Sequence, residues 1–289
     1  MIVHYLMLFF FFLLFPIYLG GIVRKVRAMV QGRKGPSILQ SFYDIVRYMK
    51  KRPIDNSNSG FFAEVAPPIS ILAGLCIWSL VVFEWTSLLL IPCFLLLQRL
   101  CITGFGMETG SSFGGLGTSR EILLGVVSEP LIVIGLIVAV SKFQVTINVV
   151  GLIVGFLFIS AFTLALLAEM SKPPFDDPRT HLELTMVHEA MLLEASGRTL
   201  GAFEIGSNLK VASLLTLIMK VSFEHTSFYI PQTNSVLIKD ILLIFGAVFL
   251  SCLLGYWEAV SVRRKWQWIP EMMGITLLFL LALGSLIKL

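Results

Sequence analysis

At 289 residues, with 56% hydrophobic and 14% charged side chains and a mean hydropathy of +0.87, the chain has more apolar surface than a water-soluble domain of this size can cover. A membrane-spanning helix takes ~20 apolar residues, so eight spans would use ~160 and leave little for a soluble domain. The formal charge of +4 is too small a bias to point to nucleic acid.

Apolar runs at about 2–22, 65–83, 86–106, 121–141, 147–168, 205–223, 237–256 and 269–287 are each long enough to cross a bilayer and are bounded by charge, Pro or Gly. These predict an all-α integral membrane protein of about eight transmembrane helices in a single polytopic domain spanning 1–289, with no internal repeat. The first run is not read as a cleaved signal peptide, because no positive segment precedes it and Arg24, Lys25 and Arg27 follow it.

Orientation follows from the basic residues. The segments 24–60, 107–120, 169–203 and 257–268 hold nine, one, three and three of them, sixteen on one side. Short basic loops stay cytoplasmic, so both termini are predicted outside. Asn56 and Arg179 are then cytoplasmic, and Lys142 and Gln232 exterior. Arg99 and Lys210 are left inside spans.

In the first loop, Gly32-Arg33-Lys34-Gly35-Pro36 precedes a segment from Ser37 to Lys51 with Ile38, Phe42, Ile45 and Met49 at helical spacing. That predicts an interfacial amphipathic helix on the cytoplasmic side, with Gln40, Asp44 and Arg47 on its other face. It serves either as a positive-inside anchor or as the roof of a cavity or a docking surface. On the latter reading Arg33, Gln40 and Asp44 shape the rim, together with Arg120, Glu121, Asp176, His181 and His188 further along the chain.

Residues 107–120, small and polar, read as a close-packing loop ending at Arg120-Glu121. Glu129-Pro130 falls inside the fourth span, about 12 Å beyond Glu121 at 1.5 Å per residue. A carboxylate there is costly in lipid and marks an ion or proton path, or else caps the proline kink as a neutral acid.

The stretch after the fifth span is the richest, with seven acids between Glu169 and Glu204, among them Asp176, Glu183, Glu189 and Glu194. A helix from Thr180 onward would place His181, His188 and Glu189 near one face. Apolar residues interleave with the acids, which predicts a partly buried helix with carboxylates shifted toward neutral pH. Glu129, Glu169, Glu183 and Glu189, with Glu194 as a weaker candidate, form the predicted proton pathway. His181 and His188 either titrate near neutrality or only hydrogen-bond the acids. No metal site is expected: His188-Glu189 lacks a second His at the required spacing, and Cys76, Cys93, Cys101 and Cys252 are scattered through apolar runs.

Three patterns carry a resemblance. Gly32, Arg33, Gly35, Pro36, Gln40 and Asp44, then Gly117, Arg120 and Glu121, then Ala168, Glu169, Pro174, Phe175 and Asp176 resemble, in order, subunit 1 of respiratory complex I. More narrowly, F-G-G-L-G-x-S-R-E at 113–121 and D-x-P-x-T-H-L-E-L-T-M-x-H-E-A-M-x-L-E-x-S-G at 176–197 look like the membrane subunit of group 4 energy-converting nickel–iron hydrogenases of the formate hydrogenlyase and hydrogenase-4 type. The family's E-S-x-x-A-K/R-x-R pattern is altered here to Glu258-Ala259-Val260-Ser261-Val262-Arg263-Arg264-Lys265.

The resemblance implies a subunit without redox centres that anchors a hydrophilic arm and couples electron transfer to proton translocation in a prokaryotic cytoplasmic membrane. It implies hydrogenase large and small subunits and iron–sulfur subunits on the cytoplasmic side, holding the iron–sulfur clusters and the nickel–iron centre. Antiporter-like membrane subunits would lie alongside, in contact with lipid. A quinone-binding subunit of a complex I-like dehydrogenase is the alternative. An independent secondary transporter is a third reading, for which the expected inverted repeats are not visible.

Overall fold

Inside a bilayer no water satisfies backbone N–H and C=O groups, so apolar runs of this length close their hydrogen bonds internally as helices. A computed structural model describes residues 2–52, 60–140, 149–176, 186–225, 235–262 and 268–286. Among these, ten α-helices form: α1 (Ile2–Val30), α2 (Gln40–Lys50), α3 (Phe61–Phe83), α4 (Ile91–Glu108), α5 (Ser112–Val140), α6 (Val149–Glu169), α7 (His188–Met191), α8 (Arg198–His225), α9 (Ser235–Val260) and α10 (Trp268–Leu286). Six are long and apolar enough to cross a membrane, and α6 and α10 contain shorter apolar stretches. The protein is an all-α, multi-pass membrane protein.

The helices pack around α3, α4 and α8. α5 lies against α4, α6 and α10, and α1 against α9. His4 pairs with Asp240 at one end of the α1–α9 seam and Arg27 with Glu258, 3.0 Å apart, at the other, so these two helices run in the same direction. Trp78 of α3, fully buried, donates its indole N–H to the Phe12 carbonyl at 2.8 Å, which satisfies the one polar group of that side chain inside the apolar core.

Three features depart from the sequence expectations, and the amphipathic helix expected after Ser37 is found as α2. α1 continues past position 22 to Val30, so Arg24, Lys25 and Arg27 are helical. Residues 107–120 are not a loop. α4 ends at Glu108 and α5 starts at Ser112, where the Ser111 hydroxyl accepts the Gly114 N–H at 3.1 Å and so supplies a helix-starting cap. α2 turns Ser41 inward and leaves Phe42, Tyr43 and Met49 exposed, with its apolar side directed away from the protein, as suits a helix whose outer surroundings are lipid. The continuous helix from Thr180 does not extend over the described part of that stretch: Met186 and Val187 are non-helical, and α7 is a single turn. His181, Glu183, Asn56, Lys142, Arg179, Gln232 and the Arg263–Lys265 run lie outside the described residues.

Candidate functional site

Arg99, in the middle of α4 and only 6% exposed, organises the site. A buried guanidinium requires counter-charge, and its fork of donors can satisfy several acceptors at once. Its two terminal nitrogens pair with Glu129 and with Glu169, its Nε lies 3.4 Å from Glu121, and it also donates to the Ser128 hydroxyl at 3.4 Å. Lys210 of α8 lies 3.7 Å from the second oxygen of Glu169. Three carboxylates and two cations thus meet where α4, α5, α6 and α8 converge.

A stripe on α5 explains how one arginine reaches two acids of the same helix. Glu121, Gly125 and Glu129 succeed one another at i, i+4 and i+8, a near-common face, with the two acids about 12 Å apart along the axis. A side chain at position 125 would collide with the Arg99 guanidinium, so the glycine is the seat in which it lies between the acids. Glu129 is the open end of the cluster, with 28% of its side chain exposed against 1% for Glu169.

Next to this cluster, the chain leaving α6 folds back. Asp176, buried, accepts the backbone N–H groups of Val187 at 3.2 Å and His188 at 3.0 Å, and so latches the entrance of α7. Arg120 donates to the Met186 carbonyl at 3.4 Å. Gly117 lets α7 sit directly on α5, since a Cβ there would come within 2.9 Å of the Val187 carbonyl oxygen. Burial, with Lys210 and Lys172 adding repulsion, pushes His188 down to about 4 from 6.5, although Asp176 opposes the shift. A value that low leaves the His188 imidazole neutral near pH 7.

The sign of that shift yields a prediction. Between pH 6.5 and about 4 the unfolded chain takes up a proton at His188 that the folded chain refuses, so this residue's contribution to stability is full above 6.5 and falls as pH drops toward 4. Thermal melts of detergent-solubilised protein should show a destabilisation from about pH 7 to about pH 4.5 that is smaller in His188→Gln. An equal loss in both proteins would contradict the assignment.

A second ionic group lies beside the first. Arg24 binds Asp44 at 3.0 Å, Gln40 donates to the same carboxylate at 2.9 Å, and Glu258 sits between Arg27 at 3.0 Å and Lys172 at 2.8 Å. Gln40 and Asp44 thus stand together, whereas Arg33 is exposed on the turn after α1. Two other placements are corrected. Glu121, expected at the cavity rim, is buried in the Arg99 cluster because α5 begins nine residues earlier than position 121. Glu189 and Glu194, expected to be partly buried, are exposed, because α7 ends after one turn. Arg99 and Lys210 were legible only as lone cations within apolar runs, a signal that in a membrane already implies buried partners.

Among the described residues no group of three or more His, Cys, Asp or Glu could hold a metal ion, and the four cysteines are free thiols.

The family model described as NADH dehydrogenase matches residues 3–287. Hydrogenase-4 component C of Escherichia coli (strain K12) is 31% identical over 217 residues, covering 69% of this chain and 68% of that protein. Formate hydrogenlyase subunit 4 of the same organism is 28% identical over 222 residues, 70% of this chain and 71% of its own length. An NADH-quinone oxidoreductase subunit from Jannaschia sp. (strain CCS1) is 27% identical over 231 residues, 69% and 65% of the two chains. A chain in the solved structure of the membrane-bound sulfane sulfur reductase, an archaeal respiratory membrane complex, has the same fold, with a TM-score of 0.76 over 99% of both chains at 15% identity.

Proposed function

We propose that this chain, which belongs to the NADH dehydrogenase family, is the membrane-anchoring and proton-coupling subunit of an energy-converting nickel–iron hydrogenase complex. The observation that carries the coupling role is the charge count at Arg99. Glu121, Glu129 and Glu169 face Arg99 and Lys210, so the fully ionised cluster holds one negative charge in excess. Taking up a single proton makes it neutral, and a buried site in lipid favours that balance. Glu129, the more exposed acid, is the exchange point, and Glu169 and Lys210 continue the path toward α8. Glu183 is retained as a candidate from the sequence alone, while the exposed Glu189 and Glu194 serve at most as collectors of protons at the surface.

The similarity to hydrogenase-4 component C and formate hydrogenlyase subunit 4 supports the hydrogenase assignment over a quinone reductase. Relatives of this kind are subunits of multisubunit complexes, so partner chains are expected here too. In this reading the large, small and iron–sulfur subunits dock on the cytoplasmic side, where the α6–α7 fold-back and α2 lie, and they hold the nickel–iron centre and the clusters. Antiporter-like subunits lie alongside in the cytoplasmic membrane, and both termini are outside. Arg33, Arg120 and Asp176 shape or brace that docking side.

Isolating the native complex through a tag on this chain tests the assignment. Co-purification of nickel- and iron-containing subunits, with hydrogen evolution from a soluble reductant, is the expected result. Quinone reduction without hydrogen turnover would move the chain to the complex I-like alternative.

A further inference from the structure

A groove of about 1040 Å³ runs along the outer side of α1, bounded by the segment before α2 and by α9. Its walls are apolar: Leu6, Phe10 and Leu14 of α1, Ile38 ahead of α2, and Ile244 and Val248 of α9 line it. From Val3 to Lys25 it follows α1 for about 33 Å, roughly the thickness of a bilayer's hydrocarbon core. An acyl chain of one leaflet reaches about half that thickness, so the half of the groove that ends at Lys25 matches one chain in length and composition.

One end of the groove is different. Lys25 and Ser37 close it, and among the described residues nothing pairs with the half-buried Lys25 ammonium, whereas its neighbours Arg24 and Arg27 are committed to Asp44 and Glu258. The turn carrying Arg33 and Lys34 is held against the same point. The Arg33 N–H bonds to the Ala28 carbonyl at 2.9 Å, and Gly35 packs so closely that a Cβ would lie 3.1 Å from the Lys25 backbone. Arg33 and Lys34 are exposed and also lack a carboxylate partner among the described residues. Three cations with no carboxylate partner among the described residues therefore gather at this end, Lys25 in the lining of the groove and Arg33 and Lys34 on the turn packed beside it.

We infer that this groove binds an anionic phospholipid, with its acyl chain along α1 and its phosphate at Lys25, Arg33 and Lys34. The site is separate from the Arg99 cluster and shares only Arg33 with the docking side proposed above. An anionic headgroup supplies the charge these residues lack, and attraction near a membrane surface amounts to about fivefold in occupancy per cation.

The test uses the purified complex reconstituted with spin-labelled phosphatidylglycerol or spin-labelled phosphatidylcholine, reading the motionally restricted fraction by electron paramagnetic resonance. The wild type should retain the anionic phosphatidylglycerol in preference. Lys25→Gln should cut that preference about fivefold, and Lys25→Gln with Arg33→Gln and Lys34→Gln should abolish it. Leu14→Trp, which fills the groove without touching a charge, should lower the restricted fraction of both labels, and size-exclusion profiles check that each complex stays assembled. Equal retention of the two labels by the wild type would overturn the inference. So would a restricted fraction untouched by Leu14→Trp, as a helix of a neighbouring subunit in the groove would give, or displacement of the label by a short-chain quinone.

Discussion

Replacing Arg99 by methionine should eliminate most of the folded subunit. The substitution keeps volume and apolarity on α4 but leaves Glu121, Glu129 and Glu169 with Lys210 as their sole cation in the cluster. Breaking a buried ion pair from one side costs ~3–5 kcal/mol because the remaining charge has no water to return to, and three carboxylates lose their partner at once. Against a total stability of ~5–15 kcal/mol for typical domains, that is enough to prevent accumulation. Arg99→Lys should recover only part of the yield, since a single ammonium cannot bridge acids about 12 Å apart along α5. Combining Arg99→Met with Glu129→Gln and Glu169→Gln removes the excess charge and should restore the protein. The amount of monodisperse subunit after detergent extraction, with its melting temperature, measures all three. Wild-type yield and melting for Arg99→Met alone would show that the cluster is not an ionic keystone.

Asp176→Ala should release α7 from its place against α5. The carboxylate accepts the N–H groups of Val187 and His188 in a buried setting, and each buried donor left unsatisfied costs ~1–3 kcal/mol. Amide hydrogen exchange at Val187 and His188 should accelerate by roughly tenfold or more, since about 1.4 kcal/mol corresponds to a factor of ten. Asp176→Asn keeps one acceptor oxygen and should fall between. Binding of the hydrophilic arm should weaken in the same order. Unchanged exchange at both amides in Asp176→Ala would mean that packing through Gly117 alone holds the turn.

The helices were legible because hydrophobic runs of ~20 residues have one solution in a bilayer, and Glu129 and Glu169 stood out as acids within or at the end of such runs. The geometry that joins them was not. Arg99 is separated by 30 residues from Glu129 and by 70 from Glu169, and no local period links positions that far apart. Glu121, Gly125 and Glu129 do share a helical stripe, but reading it required α5 to begin at Ser112, and a glycine-rich segment is ordinarily a loop. The fold-back at Asp176 failed to read as such because alternating acids and apolar residues imitate an amphipathic helix, while a backbone latch by a distant carboxylate leaves no periodic trace.

Proton translocation per hydrogen turned over, measured in proteoliposomes containing the whole complex, tests the central claim most directly. Glu129→Gln takes the Arg99 cluster from one excess negative charge to balance without removing a cation, so the complex should assemble and turn over hydrogen with a soluble donor while the protons moved per hydrogen fall sharply. An assembled Glu129→Gln complex with the wild-type ratio would contradict the account and leave the cluster as structural ion pairing alone.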